Sequence, residues 1–277
     1  MEHKPKKSLG QNFLRDETVL QKIIDTAELN SDDVVFEVGP GEGVLTEQLA
    51  KYVRKIISIE KDEELAKKTA LNFQFSIFNF QTISNDPILN FENKVAIILG
   101  DILAINLPAL IKRNDFFNYK VVANIPYYIT SPIIRLFLEQ ECQPQEIILM
   151  IQKEVAQRIV AKAGQNSILS ISVQYYATAE IMFEVSKLAF SPVPKVDSAV
   201  IKIIPTRKFD KSKDKAFFRI IRAGFSAKRK TISNNLTNSL QLDKSIVEEK
   251  LKTLGIASNA RAQELSVEDW EKLVLMF

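Results

Sequence analysis

Two stretches hold residue types whose spacing permits chemistry. The first is Glu37-Val38-Gly39-Pro40-Gly41-Glu42-Gly43, set between an apolar run and a helical pattern. Glycines let a chain turn sharply and let its backbone approach a ligand. The spacing is G-x-G-x-G; the dinucleotide fingerprint G-x-G-x-x-G would need glycine at position 44, which is Val44. Glu37 and Glu42 flank the turn, where a pyrophosphate at a helix N-terminus would want no carboxylates. The sign suits a cationic ligand, and S-adenosylmethionine, a sulfonium with an ammonium group, fits it. Glu60 closes the run Ile56–Ile59, about 20 residues after the glycines, where an acid can accept hydrogen bonds from ribose hydroxyls. Asp101 follows Leu99-Gly100 and can accept from an adenine amine, with the Ile102 backbone reading the ring edge. Asp86 is a rival, but no strand precedes it, so Asp101 is preferred.

The second stretch is Asn124-Ile125-Pro126-Tyr127, after the strand pattern Lys120–Ala123. An exocyclic amine on a purine is a poor nucleophile, because its lone pair is delocalised into the ring. Two acceptors on its N–H bonds pull it towards tetrahedral geometry and aim the lone pair outward. The Asn124 amide oxygen and the Ile125 carbonyl can form that pair, and Pro126 stiffens the backbone between them. Tyr127 can stack on the base, worth about 1–3 kcal/mol. Asn and Pro also end strands in ordinary turns. The glycine turn, Glu60 and Asp101 in order before them favour the chemical reading.

The elements that must position these residues are legible as a rhythm. Val34–Val38, Ile56–Ile59, Val95–Leu99, Lys120–Ala123 and Glu146–Ile151 read as strands, with helical stretches such as Leu45–Tyr52 between them. This alternation implies an α/β fold: a mainly parallel sheet with helices on both faces, binding ligands at the strands' carboxyl ends. Ser76–Asn93, rich in Asn, Phe and Ile, breaks the rhythm and reads as an insertion on the sheet's edge. Phe190-Ser191-Pro192-Val193-Pro194-Lys195-Val196-Asp197-Ser198 is extended and stiffened by proline, Ala199–Ile204 is a further strand, and helical patterning follows from Ser212. The expected domains are 1–204, holding the cofactor, and 205–277, small and helical.

Composition narrows the function classes. The 277 residues are 46% hydrophobic and 26% charged, ordinary globular material. With one histidine, His3, and one cysteine, Cys142, neither a metal centre nor triad chemistry has its parts. No signal peptide and no membrane-spanning run of about 18 apolar residues is evident, so a cytoplasmic protein with no membrane partner is expected. Between Thr206 and Lys230 ten Lys or Arg stand against two Asp, a net +8, which leaves −5 on the remainder of a chain whose total is +3. Such gathering favours a polyanion such as RNA.

These motifs together resemble the rRNA adenine dimethyltransferases, the family of the KsgA and Erm methylases, over almost the whole chain. Lys7-Ser8-Leu9-Gly10-Gln11-Asn12-Phe13-Leu14 is similar to the family's N-terminal cofactor clamp, which implies that Gln11, Asn12 and Leu14 border the cofactor. By the same resemblance Glu37, Gly39, Gly41, Glu60, Asp101, Ile102 and Asn124 complete its site. Asn124-Ile125-Pro126-Tyr127 matches the catalytic tetrapeptide, and Phe190 would face Tyr127 across the target base. The implied fold is a Rossmann-like class I methyltransferase domain with a small C-terminal helical domain. Gln152-Lys153-Glu154-Val155-Ala156-Gln157-Arg158 and Ala260-Arg261-Ala262-Gln263-Glu264-Leu265-Ser266 resemble the ribosome-biogenesis branch. That branch dimethylates N6 of two adjacent adenines near the 3′ end of 16S rRNA, late in 30S assembly. The basic residues Arg222, Lys228, Arg229 and Lys230 would then hold RNA, and the partner would be the immature 30S subunit, met by a monomer. Ser167-Ile168 departs from the family's frequent Tyr-Gly. The alternatives are a 23S resistance methylase and a non-catalytic RNA-binding assembly factor on the same fold; a dehydrogenase is disfavoured by Val44.

Overall fold

The computed structural model describes residues 5–6, 9–73, 76–79, 93–207 and 210–277. In chain order its elements are β1 (Phe13–Leu14), α1 (Glu17–Thr26), β2 (Val34–Val38), α2 (Val44–Leu49), β3 (Lys55–Glu60), α3 (Glu63–Phe73), β4 (Ser76–Asn79) and β5 (Val95–Leu99). Then come α4 (Leu107–Asn114), β6 (Tyr119–Asn124), α5 (Thr130–Leu138), β7 (Glu146–Gln152), α6 (Lys153–Ile159), α7 (Ile168–Tyr176), β8 (Ala177–Val185), β9 (Phe190–Ser191) and β10 (Ser198–Pro205). The chain closes with α8 (Lys211–Gly224), α9 (Ile232–Leu240), α10 (Lys244–Thr253) and α11 (Val267–Met276). Among the described residues no helix is long and apolar enough to cross a membrane.

Eight strands form one sheet in the order β4-β5-β3-β2-β6-β7-β10-β8. The strands from β4 to β7 run parallel to their neighbours, and β10 lies antiparallel to β7. All five residues of β2 are buried, as a parallel strand covered on both faces requires. Strand order reverses between β3 and β6 on either side of β2. The crossovers therefore diverge there, leaving a crevice at the carboxyl ends where the candidate motifs fall. The first four residues of the expected insertion form β4, which pairs with β5 at the edge of the sheet. The rest of that stretch, from 80 to 92 and including Asp86, is outside the described residues.

The chain divides into two compact units, Met1–Ala156 with Ala179–Pro205, and Gln157–Thr178 with Thr206–Phe277. Residues 157–178, expected in the first domain, belong to the second. The reason is polar as well as apolar. Asp214 of α8, 4% exposed, accepts the hydroxyls of Tyr175 and Tyr176 at 3.0 and 2.8 Å. Asn166 Nδ2 donates to the Leu265 carbonyl at 2.9 Å. Tyr175 also stacks on Phe217, with ring centroids 3.7 Å apart. Those contacts tie α7 to α8, and Asn166 just before α7 to Leu265 just before α11, which strand and helix periodicity alone does not reveal.

Candidate active site

The turn after β2 is built from left-handed backbone. Gly39, Gly41 and Gly43 have φ of 68°, 58° and 82°. At Gly41 a Cβ would stand 3.1 Å from the Phe13 ring, so a side chain there would be both strained and crowded. Gly39 N donates to the Ile59 carbonyl at 2.8 Å, tying the turn to the end of β3. These residues form one wall of a cleft at the strands' carboxyl ends.

Carboxylates dominate the floor. Glu37 is 1% exposed, and its Oε2 accepts from Thr46 Oγ1 at 2.6 Å and Ser58 Oγ at 2.7 Å. Burial pushes its carboxyl up to about 7 against those two hydroxyls, and the Glu60 charge pushes the same way. Glu60 ends β3, also buried, with Oε1 accepting from Asp62 N at 2.8 Å and Oε2 from Gly41 N at 3.1 Å. Burial raises its carboxyl despite these backbone donors. Asp101 follows β5: Oδ1 caps Leu103 N at 3.0 Å, and Oδ2 takes Lys61 Nζ at 2.8 Å. Burial would raise Asp101, but the Lys61 and Leu103 bonds outweigh it and hold it low. Glu42 at the rim pairs with Arg15 at 2.7 Å. Glu37 and Glu60 are bonded to hydroxyls and backbone amides rather than to a cation among the described residues, so a bound cation would complete the cleft.

Asn124 ends β6 at the opposite wall. Its Nδ2 donates to the Asn12 carbonyl at 3.3 Å, which fixes the amide and leaves Oδ1 as an acceptor. Ile125 is 2% exposed, and Pro126 holds φ −57°, ψ 133°. Tyr127 opens a single 3₁₀ turn, with its hydroxyl 2.7 Å from Ser198 Oγ. Gln11, Asn12, Leu14, Glu37, Gly39, Gly41, Glu60, Asp101, Ile102, Asn124, Ile125, Pro126 and Tyr127 all border this one cleft.

Phe190 is not among them. It pairs with Leu14 across the β1–β9 ladder and is 3% exposed, packed in a core with Leu14, Leu20, Ile23 and Val185. In this conformation it presents no ring to a base. The exposed aromatic at the cleft is instead Tyr128, 57% exposed, which the motif ending at Tyr127 does not single out. Asp62 and Lys6 carry no sequence signal either; Asp62 sits in a charged run that reads as a solvated surface, yet it is 2% exposed. Arg222 lies in the last turn of α8, and Lys228, Arg229 and Lys230 in the turn before α9; all four are exposed in the helical unit.

Comparison with known proteins adds ancestry to this geometry. A family model described as "Ribosomal RNA adenine dimethylase" matches residues 2–277. A Dehalococcoides mccartyi protein named "Ribosomal RNA small subunit methyltransferase A" is 40% identical over 99% of this chain and 89% of its own length. A Bacillus pumilus protein of the same name is 41% identical over 97% of this chain and 89% of its own. Among solved structures, a dimethyladenosine transferase from Plasmodium falciparum superposes with TM-score 0.71 at 26% identity, covering 95% of this chain and 96% of that one. The 23S rRNA methyltransferase ErmE gives 0.68 at 27%, covering 96% and 99%. A full-length family match, two relatives near 40% identity and the acid-lined cleft of a Rossmann-like sheet agree: this chain belongs to the ribosomal RNA adenine dimethylase family.

Proposed function

We propose that this chain dimethylates the N6 amines of two adjacent adenines near the 3′ end of small-subunit 16S rRNA, with S-adenosylmethionine as donor. The observation that carries the reading is Asn124: its amide nitrogen is committed to Asn12, so its oxygen stands as a fixed acceptor beside a cleft of buried carboxylates. The donor set suits the ligand, since Glu60 retains lone pairs for hydroxyls and Glu37 and Glu60 supply acidic groups bonded only to neutral donors among the described residues. When bound, S-adenosylmethionine supplies a methyl group made electrophilic by sulfonium. In the first transfer Asn124 Oδ1 and the Ile125 carbonyl would accept the two N–H bonds of the adenine amine and turn its lone pair towards that methyl; in the second, one of the two acceptors would hold the single N–H that remains. No side-chain base is needed first: the amine becomes cationic on methylation and then sheds its proton readily to the acceptors and water. Positioning and preorganised acceptors supply the rate. The target adenine must leave its stack to enter.

The name shared by the relatives near 40% identity supports the small-subunit substrate over the 23S substrate named for ErmE at 27%. The assembly-factor alternative is disfavoured by the intact acceptor pair. The basic turn 228–230 of the helical unit is read as a contact for rRNA phosphates, with the immature 30S subunit as partner. Asn124→Ala should lower turnover roughly 10²–10³-fold, as loss of one preorganised polar group does. RNA binding should survive. Labelled donor, undermethylated small subunits and mass mapping of nucleosides provide the assay. Label appearing in 23S rRNA alone, or full turnover by Asn124→Ala, would overturn the reading.

A further inference from the structure

Asp62 stands two residues past Glu60 and is almost wholly buried, although it is charged. It caps α3: Oδ1 accepts from Glu64 N at 3.1 Å, and its carbonyl accepts from Ala66 N at 2.9 Å. A helix cap needs one side-chain oxygen. This carboxylate does more. Its Oδ1 also accepts from Lys6 Nζ at 2.7 Å, and its Oδ2 from Gln11 Nε2 at 2.9 Å. Gln11 Oε1 in turn accepts from Lys6 N at 2.7 Å. The three residues close a ring, and only one orientation of the Gln11 amide satisfies both of its neighbours. Burial would raise the Asp62 carboxyl, but the Lys6 and Gln11 hydrogen bonds and the Lys6 charge outweigh it and hold it below its ordinary value.

The ring anchors one end of the segment that borders the cleft. Gly10, at φ 61°, lies under the Tyr128 ring, which a Cβ would meet at 3.4 Å. Asn12 O receives Asn124 Nδ2, and Leu14 pairs with Phe190. The far end is held by backbone, with Arg15 N donating to the Ala189 carbonyl at 2.8 Å. Charge holds the near end.

We propose that Asp62 is a positioning residue that latches this segment through Lys6 and Gln11, setting Asn12 against Asn124 and slowing escape of the methyl donor and its spent product. The proposal rests on the cleft being the donor site. An ionic latch holds such a segment without sealing it permanently. Asp62 is fixed and desolvated, while Lys6 keeps 44% of its side chain in water. The bond is thus charge-assisted, yet its outer partner can be rehydrated.

Two variants separate latch from cap. Asp62→Ser keeps a good helix cap but has neither the charge nor the reach to hold Lys6 and Gln11. Lys6→Met removes the cation from an exposed position and leaves the cap untouched. In the ligand-free full chain, amide exchange over residues 9–14 should speed up about tenfold in both, the lower end for losing a charge-assisted hydrogen bond. S-adenosylhomocysteine should also leave about tenfold faster. Its off-rate should rise more steeply with salt in the parent protein than in either variant. If exchange over 9–14 in Lys6→Met matches the parent, the Lys6–Asp62 pair does not hold the segment and the proposal of an ionic latch fails, whatever Asp62→Ser does. If S-adenosylhomocysteine does not bind even the parent, the donor assignment falls, while exchange in the free protein still decides the latch.

Discussion

Glu37 illustrates how one side chain can serve the site at the expense of stability. It is sealed beneath the glycine turn, takes two hydroxyls on one oxygen, and is pushed from 4.5 up to about 7 by burial. Between those values the folded protein holds a proton that the unfolded chain releases. Its contribution is therefore full below pH 4.5 and is lost as pH rises through about 7. From pH 5.5 to 8 this amounts to roughly 2 kcal/mol, at about 1.36 kcal/mol per unit. Glu37→Gln has no charge to bury, so its thermal midpoint should gain on the parent's across that range. Parallel pH profiles would show that the carboxyl titrates elsewhere. The same charge that strains the fold above pH 7 is the one a cationic ligand needs.

At the scale of elements, the sheet is braced at the end opposite the cleft. Lys120, at the start of β6, is 8% exposed and donates to the carbonyls of Ala27 and Glu28 at 3.0 and 2.9 Å, just past α1. It also lies 3.2 Å from Asp33 and 3.0 Å from Glu146, and Glu146 is shared with Lys202 at 3.0 Å. Lys120→Met would take the cation from buried Asp33 while Glu146 keeps Lys202. A loss of about 3 kcal/mol is expected, the lower end for breaking a buried pair. It should appear as a lower urea midpoint, with donor affinity unchanged because the network and the cleft sit at opposite strand ends. A simultaneous loss of affinity would mean that the two ends are coupled. The strands β2, β3, β5, β6, β7 and β10 were readable from apolar runs, their mainly parallel arrangement from the helical stretches between them, and the acids bordering the cleft from their place at run ends, since these are local properties; β8 was not. The brace was not, because Asp33, Lys120, Glu146 and Lys202 become neighbours only through strand order.

The whole molecule carries its charge unevenly, and that bears on its substrate. Replacing Lys228, Arg229 and Lys230 with Gln should flatten the log–log salt dependence of RNA binding by roughly 0.7–0.9 for each phosphate no longer neutralised. These residues are exposed and lie in the helical unit, away in sequence from every cleft residue, so S-adenosylhomocysteine affinity should stay at the parent value. An unchanged slope, measured by filter binding from low to moderate salt, would move the RNA contact elsewhere. The same unit explains a boundary that periodicity misplaces. Residues 157–178 look like part of the α/β rhythm, but their tyrosines are claimed by Asp214.

Short runs of consecutive residues single out the residues that line the cleft: the glycine turn, the acid at each strand's end and the Asn-Ile-Pro-Tyr turn. Each depends on a few neighbours whose backbone can adopt one local form. What those groups meet is settled by long-range packing. It turned Phe190 inward against Leu14, spent the Asn124 amide nitrogen on Asn12, and drew Lys6 and Gln11 onto Asp62. Those pairings join residues from 51 to 176 positions apart. No local propensity encodes such distances; only the closing of the sheet and its crevice brings the partners within bonding range.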